Sequence, residues 1–293
     1  MRLYFLLTQR VPAVPSPVLL EVFDILKRIG FHVESGIAEE ILLQPDHLAV
    51  AHDLYLLKSH TELSLSLAGV LHGQGARMLN PYLSCITTQD KIITSQRLRA
   101  ADVSVPQSWV TGELDLLRPI IERQPLIIKP YRGHRGAGIH IVRTVSELEA
   151  IPEPETPVII QEYIPGTGED LKVYVVGENV FAVRKTFSSS SFTEFGRPCP
   201  VSPEVREMAQ RVGRALGLGL YGLDVIESPK GPVVVDVNYF PGYKGVPDIA
   251  PVIAKYIEEY ANGNVGLNWP SPASAINADN LSSFVMFNMD PPQ

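Results

Sequence analysis

The first 85 residues alternate between two hydrophobic periods. Leu3–Leu7 is a short apolar run, as for a strand buried on both faces. Pro17–Ile29 places Val18, Val22, Ile25, Leu26 and Ile29 at helical spacing, and Gly30 ends the segment. Leu54–Leu57 reads as a second buried strand. Ser59-His60-Thr61-Glu62 has capping-box form and predicts a helix to about Leu71. Arg77–Leu79 is a last short strand. This alternation predicts a small parallel α/β domain over 1–85.

From residue 86 the texture changes. Thr88-Gln89-Asp90-Lys91 predicts a helix start, with the helix running to about Ala100, and Pro106–Val110 is extended. Strands are predicted at Leu126–Lys129, Ile139–Val142 and Val158–Tyr163, with Thr144 capping a short helix. Lys172–Val176 and Val180–Lys185 surround a turn at Gly177-Glu178-Asn179. Ser202-Pro203 opens a helix that ends near Gly217. Two more strands surround Ser228-Pro229-Lys230-Gly231. Hairpins with flanking helices predict an α+β unit over 86–260. The aperiodic residues 261–293 predict a partly ordered tail.

Composition narrows the class. The 293 residues are 45% hydrophobic and 19% charged, enough to bury a full core. A net charge of −7 gives no chain-wide attraction to nucleic acid or an anionic membrane. Cys85 and Cys199 suggest neither a disulfide framework nor a metal cluster. No apolar run has the length of a membrane span. A soluble cytoplasmic protein is expected, with a small-molecule or peptide partner; a homo-oligomer is left open.

The strongest chemical signal is Val233-Val234-Val235-Asp236-Val237-Asn238. Asp236 and Asn238 leave one face of a buried strand. With Pro229-Lys230-Gly231 as a three-residue loop, Asp224 falls opposite Asp236. Two carboxylates and an amide oxygen suit a hard cation such as Mg²⁺. A buried carboxylate pair sharing one proton is the other reading. Arg132-Gly133-His134-Arg135-Gly136-Ala137-Gly138 follows the strand that ends at Lys129, and glycine-rich backbone can approach an anion closely. An ordinary flexible turn is the alternative. Lys91, at a helix start where the dipole disfavours it, and Lys129 are candidate anion ligands. Arg184, Lys185 and Arg197 flank a serine-rich stretch with the character of a lid. Lys58 and His60 follow the predicted strand Leu54–Leu57.

In this order the segments are similar to those of the ATP-grasp superfamily, over roughly residues 1–260. The matching stretches are Asp90-Lys91, Ile127-Ile128-Lys129-Pro130, the glycine-rich loop, Gln161-Glu162-Tyr163-Ile164, Asp170-Leu171-Lys172, Gly222-Leu223-Asp224-Val225 and Asp236-Val237-Asn238. The resemblance implies an ATP-grasp fold preceded by a parallel α/β domain. It implies that Lys91 and Lys129 contact the nucleotide and that residues 132–138 cover its triphosphate. Residues 161–164 would form the adenine hinge; the residues themselves offer Glu162 or Asp170 as acceptors for ribose hydroxyls. Asp224, Asp236 and Asn238 would hold one or two Mg²⁺ ions, with Mn²⁺ as a substitute.

Two branches match. RimK-type ligases share Gln-Glu-Tyr-Ile and the Asp-x-Lys/Arg segment, but usually carry Glu where Asp236 stands. The inositol-phosphate kinases have Asp there, followed by a motif like Asn238-Tyr239-Phe240-Pro241-Gly242-Tyr243. An ATP-dependent carboxylate–amine ligase is the leading expectation. It would act through an acyl phosphate, with Arg184, Lys172 and Arg197 as candidate catalytic groups. A small-alcohol kinase is the alternative, and a non-catalytic nucleotide-binding subunit the third.

Overall fold

The computed structural model describes residues 1–9, 16–132, 138–186 and 196–268. The N-terminal sheet is built from β1 (Arg2–Leu7), α1 (Pro17–Arg28), β2 (His32–Ile37), β3 (Leu54–Leu57), α2 (Glu62–Gly73) and β4 (Met78–Leu79). Its strands run parallel in the order β2-β1-β3-β4. All four residues of β3 are buried, as both faces of a parallel sheet require.

Two local expectations shift. α1 buries Leu19, Val22 and Leu26, while Ile29 is its exposed C-cap. The cap of α2 is Thr61, which accepts from the Ser64 amide at 3.3 Å, two residues beyond the cap that the predicted box assigns to Ser59. The Thr61 hydroxyl also donates to Glu39.

α3 (Tyr82–Gln89) and α4 (Lys91–Ala100) follow, and the chain passes residue 85 inside α3. Asp90 caps α4 by accepting from the amides of Ile92 and Ile93. Next come β5 (Ser108–Thr111), α5 (Arg118–Ile121), β6 (Leu126–Pro130), β7 (His140–Val142), α6 (Val145–Glu149) and β8 (Val158–Glu162). Their four strands form an antiparallel sheet ordered β5-β8-β6-β7 with its own core, which includes Leu117, Ile121, Leu126, Val142, Leu148 and Ile160. Thr144 caps α6 as predicted.

The largest sheet is antiparallel in the order β11-β10-β9-β12-β13. It comprises β9 (Glu169–Val176), β10 (Asn179–Thr186), β11 (Arg197–Cys199), β12 (Leu220–Ser228) and β13 (Gly231–Tyr239), with α7 (Pro203–Leu216) between β11 and β12 and α8 (Ile249–Ala261) after β13. Ser202 caps α7, and Gly217 ends it with φ +64°, where a side chain would be strained.

A single buried cluster runs from Leu3 through the N-terminal sheet to Val225, Tyr239 and Ile257. Fully buried Asn80 pins this seam. Its amide donates to the Leu220 carbonyl at 2.7 Å, and its oxygen accepts from the amides of Gly219 and Leu220 at 2.8 and 2.9 Å. Tyr239 donates to the Ser59 carbonyl and Tyr260 to the Met78 carbonyl. Among the described residues no helix is long and apolar enough to cross a membrane.

Candidate nucleotide and metal site

The β12–β13 hairpin sets the centre of the site. Ser228 pairs with Gly231, so the turn is the two residues Pro229 and Lys230 rather than three. Asp224 nevertheless faces Asp236, and Gly222 faces Asn238, because the register slips by one residue between Asp224 and Val225. Val235 is the extra residue of that bulge, without a cross-strand partner. Its carbonyl accepts from Lys129 Nζ at 3.1 Å. The irregularity therefore aligns the two carboxylates and offers an acceptor to the lysine of β6.

On the same face Lys172 lies opposite Asp224 across the β9–β12 ladder. Lys172 Nζ is 2.8 Å from Asp224 Oδ2 and 3.8 Å from Asp170. Lys91, projecting from the start of α4, lies 2.9 Å from Asp236 Oδ1. Each carboxylate thus holds its own ammonium, an arrangement that favours two ionised groups over a shared proton. Burial alone would raise the Asp236 carboxyl, but Lys91 and Lys129 outweigh it and hold the group below the ordinary carboxylate range. The Lys129 ammonium is depressed, chiefly by burial, with Asp236 opposing. Burial also raises the Asp170 carboxyl despite nearby Lys172.

The remaining candidates divide. Buried Gln161 lines one recess with Thr88, Lys91, Lys129 and Asp236. Glu162 is committed to the start of β5, its Oε1 accepting from the Gln107 amide at 2.9 Å. Tyr163 and Ile164 are half-buried just beyond β8, with Arg143 over the Tyr163 ring. Arg132 lies 3.6 Å from the Asp90 carboxylate. Gly138 adopts φ +72° beside Pro130. Residues 133–137, and the serine-rich stretch 187–195, lie outside the described residues.

The two candidate catalytic arginines sit elsewhere. Val176 pairs with Asn179, so the β9–β10 turn is Gly177-Glu178 alone. That register sets Val183 opposite Lys172 and turns Arg184 to the reverse face. There Arg184 forms a two-pronged pair with Glu227 at 2.5 and 3.0 Å. Arg197, opposite Arg184, is 3.0 Å from Glu169. On the site face their place is taken by Lys185, buried and directly across from Asp170. Its signal was its parity with Val183 once the turn is counted as two residues.

The donors fit a hard divalent ion. Among the described residues no three His, Cys, Asp or Glu side chains are grouped to hold a metal. Two carboxylates and an amide oxygen leave a shell that substrate phosphates must complete, as is usual for Mg²⁺.

A cleft between two antiparallel sheets, lined by lysines and paired carboxylates, defines a nucleotide-clasping ATP-grasp protein. The RimK-like ATP-grasp domain matches residues 88–260, and the chain belongs to that family. A protein of Shewanella denitrificans named "Probable alpha-L-glutamate ligase 1" is 30% identical over 208 residues, covering 64% of this chain and 70% of the relative. One of Methanococcoides burtonii, named "Probable alpha-L-glutamate ligase", is 28% identical over 214 residues, covering 66% and 70%. Among solved structures, a RimK domain ATP-grasp protein from Sphaerobacter thermophilus has a TM-score of 0.72 at 20% identity, covering 87% of this chain and 99% of that one. The D-alanine–D-alanine ligase of Bacillus anthracis, solved with ATP, has a TM-score of 0.65 at 19% identity, covering 90% and 100%. Family and relatives agree on ATP-dependent carboxylate–amine ligation, the ADP-forming kind. The alcohol-kinase alternative draws no support from them.

Proposed function

We propose that this chain activates a substrate carboxylate with ATP on the face shared by β9, β12 and β13 and passes the acyl group to an amine. The row Lys172–Asp224–Asp236–Lys91, opening onto the recess of Lys129 and Gln161, carries this reading. Lys129 is fixed by burial and by Val235, so it offers a stationary positive charge to the nucleotide. Lys91 and Lys172 are half-buried and can trade their carboxylates for phosphate oxygens. Asp224, Asp236 and Asn238 would hold one or two Mg²⁺ ions, with Mn²⁺ as a substitute. The ion would supply neutralisation of charge on the transferring phosphoryl group. Gln161 through Ile164 would form the adenine hinge, and Asp170 would meet ribose. Lys172 and Lys185, rather than Arg184 and Arg197, would meet the acyl phosphate and the oxyanion formed when the amine attacks it.

The relatives' names make L-glutamate the first amine to test. Residues 1–85, as an acceptor-side domain, would shape the other pocket. There Lys58 donates to the Phe240 carbonyl at 2.6 Å, and the His60 ring stacks on Tyr239. Both cysteines are free, in keeping with a reducing compartment such as the cytoplasm.

Phosphorus NMR of a reaction with ATP, Mg²⁺, L-glutamate and a panel of carboxylic acids tests the reading. ADP, free phosphate and a new amide are expected; a phosphate ester would replace ligase with kinase. In Asp236→Asn, turnover is expected to fall about a thousandfold or more, the scale on which charge stabilisation of phosphoryl transfer is lost. Circular dichroism is expected to show an intact fold. Full activity in that variant would remove the metal assignment.

A further inference from the structure

The cations already present on the site face constrain how a metal can arrive. Lys91, Lys129, Lys172 and Lys185 gather around Asp170, Asp224 and Asp236. Four ammonium groups against three carboxylates leave no surplus negative charge for a divalent ion. Both carboxylates of the candidate metal pair are engaged at salt-bridge distance, Asp236 by Lys91 at 2.9 Å and Asp224 by Lys172 at 2.8 Å. A cation arriving alone must expel both ammonium groups. Expelled, the two ammonium groups need new anions, and nearby Asp170, 3.8 Å from Lys172, is a single carboxylate already across from Lys185. A triphosphate supplies those anions.

We propose that Lys91 and Lys172 are resident counter-ions of the metal carboxylates, so that a divalent cation enters this site only together with a nucleotide whose phosphates take over both lysines. The proposal rests on the reading of Asp224, Asp236 and Asn238 as metal ligands. It adds an order that this reading does not require: metal and nucleotide bind as a unit, and neither lysine is merely a phosphate ligand waiting in solvent. Lys129 plays no part in the exchange, because it is held by the Val235 carbonyl rather than by a carboxylate.

Electron paramagnetic resonance of Mn²⁺ tests this on the full chain, with and without a non-hydrolysable ATP analogue and against a protein-free control for chelation. Wild type is expected to bind Mn²⁺ about a hundredfold more weakly without the analogue. Lys172→Gln and Lys91→Gln are each expected to raise nucleotide-free Mn²⁺ affinity about tenfold, a modest share of the repulsion between unit charges a few ångströms apart. Equal Mn²⁺ affinity with and without the analogue in wild type overturns the proposal and leaves the metal site standing. So does unchanged nucleotide-free affinity in both variants, with folding confirmed by circular dichroism. If one variant does not fold, the other and the wild-type comparison decide. A different result strikes deeper. Failure of Mn²⁺ to bind even with the analogue, or analogue-dependent binding unaltered in Asp236→Asn, removes the metal ligands and the proposal together.

Discussion

The two sheets that face each other across the proposed nucleotide cleft are held in place very differently. The large β11-β10-β9-β12-β13 sheet shares one continuous core with the N-terminal sheet, and buried side chains stitch the seam to backbone on the other side. The small β5-β8-β6-β7 sheet has a separate core of nine buried residues. It meets its neighbours through individual polar links, among them Lys91 N to the Tyr131 carbonyl and Lys129 Nζ to the Val235 carbonyl. Local opening costs least where few apolar contacts must be broken. One wall of the cleft is therefore anchored to the bulk of the molecule, while the other is a small, self-contained lever. The paired carboxylates sit on the fixed wall and Lys129 on the lever. A nucleotide spanning the two would order the lever against the wall.

Breaking the anchored side should have the largest effect. Asn80→Ala strands the Gly219 and Leu220 amides, each costing ~1–3 kcal/mol when buried without a partner, while the Leu220 carbonyl keeps the Phe240 amide. Urea unfolding should show a loss of about 3 kcal/mol or more, with the N-terminal and large sheets melting together. A loss under about 1 kcal/mol would deny the seam its role.

The link between the walls comes next. Lys129→Met should weaken nucleotide binding by calorimetry about ten- to hundredfold, the scale of a lost charge-assisted contact. Without nucleotide the same change should not destabilise the protein, because it removes a buried ammonium. The pH dependence has a definite sign. The folded Lys129 is depressed below an ordinary lysine, so in the alkaline range between the two values the unfolded chain binds more protons. Stability from this group therefore rises with pH across that window. Chemical denaturation of Lys129→Met against wild type should show that alkaline gain disappear.

The smallest effect should come from the lever alone. Thr144→Ala removes the cap of α6, worth about 1 kcal/mol. Hydrogen exchange should quicken in β6, β7 and α6 and remain unchanged in β12 and β13. Faster exchange in both sheets would show that they open as one unit.

Much of this arrangement was legible in the sequence because apolar runs, caps and turn residues agreed. β6, β8, β9, β12 and β13 and the caps at Thr144 and Ser202 fall where the pattern places them. β2 carries the sequence His-Val-Glu-Ser-Gly-Ile at a sheet edge, with neither alternation nor a full apolar run, and it passed unread. The more instructive miss concerns turn length. Both hairpins of the large sheet invite a three-residue loop, and both have two. At Pro229 the bulge at Val235 cancels the difference, so Asp224 meets Asp236 as expected. At Gly177 nothing cancels it. A three-residue loop would have set Arg184 opposite Lys172; the real one sends Arg184 to Glu227 and brings Lys185 forward. Apolar periodicity constrains strand existence well, but turn length decides which charged residue faces the ligand.

The bulge also makes the strand asymmetric toward insertions and deletions. Removing Val235 would restore a regular ladder with Asp224 still facing Asp236, and would deprive Lys129 of its acceptor. Adding one residue beside it would rotate Asp236 and Asn238 onto the core face. Beside Val235, β13 can lose a residue at the cost of one hydrogen bond, whereas a residue gained there displaces the site.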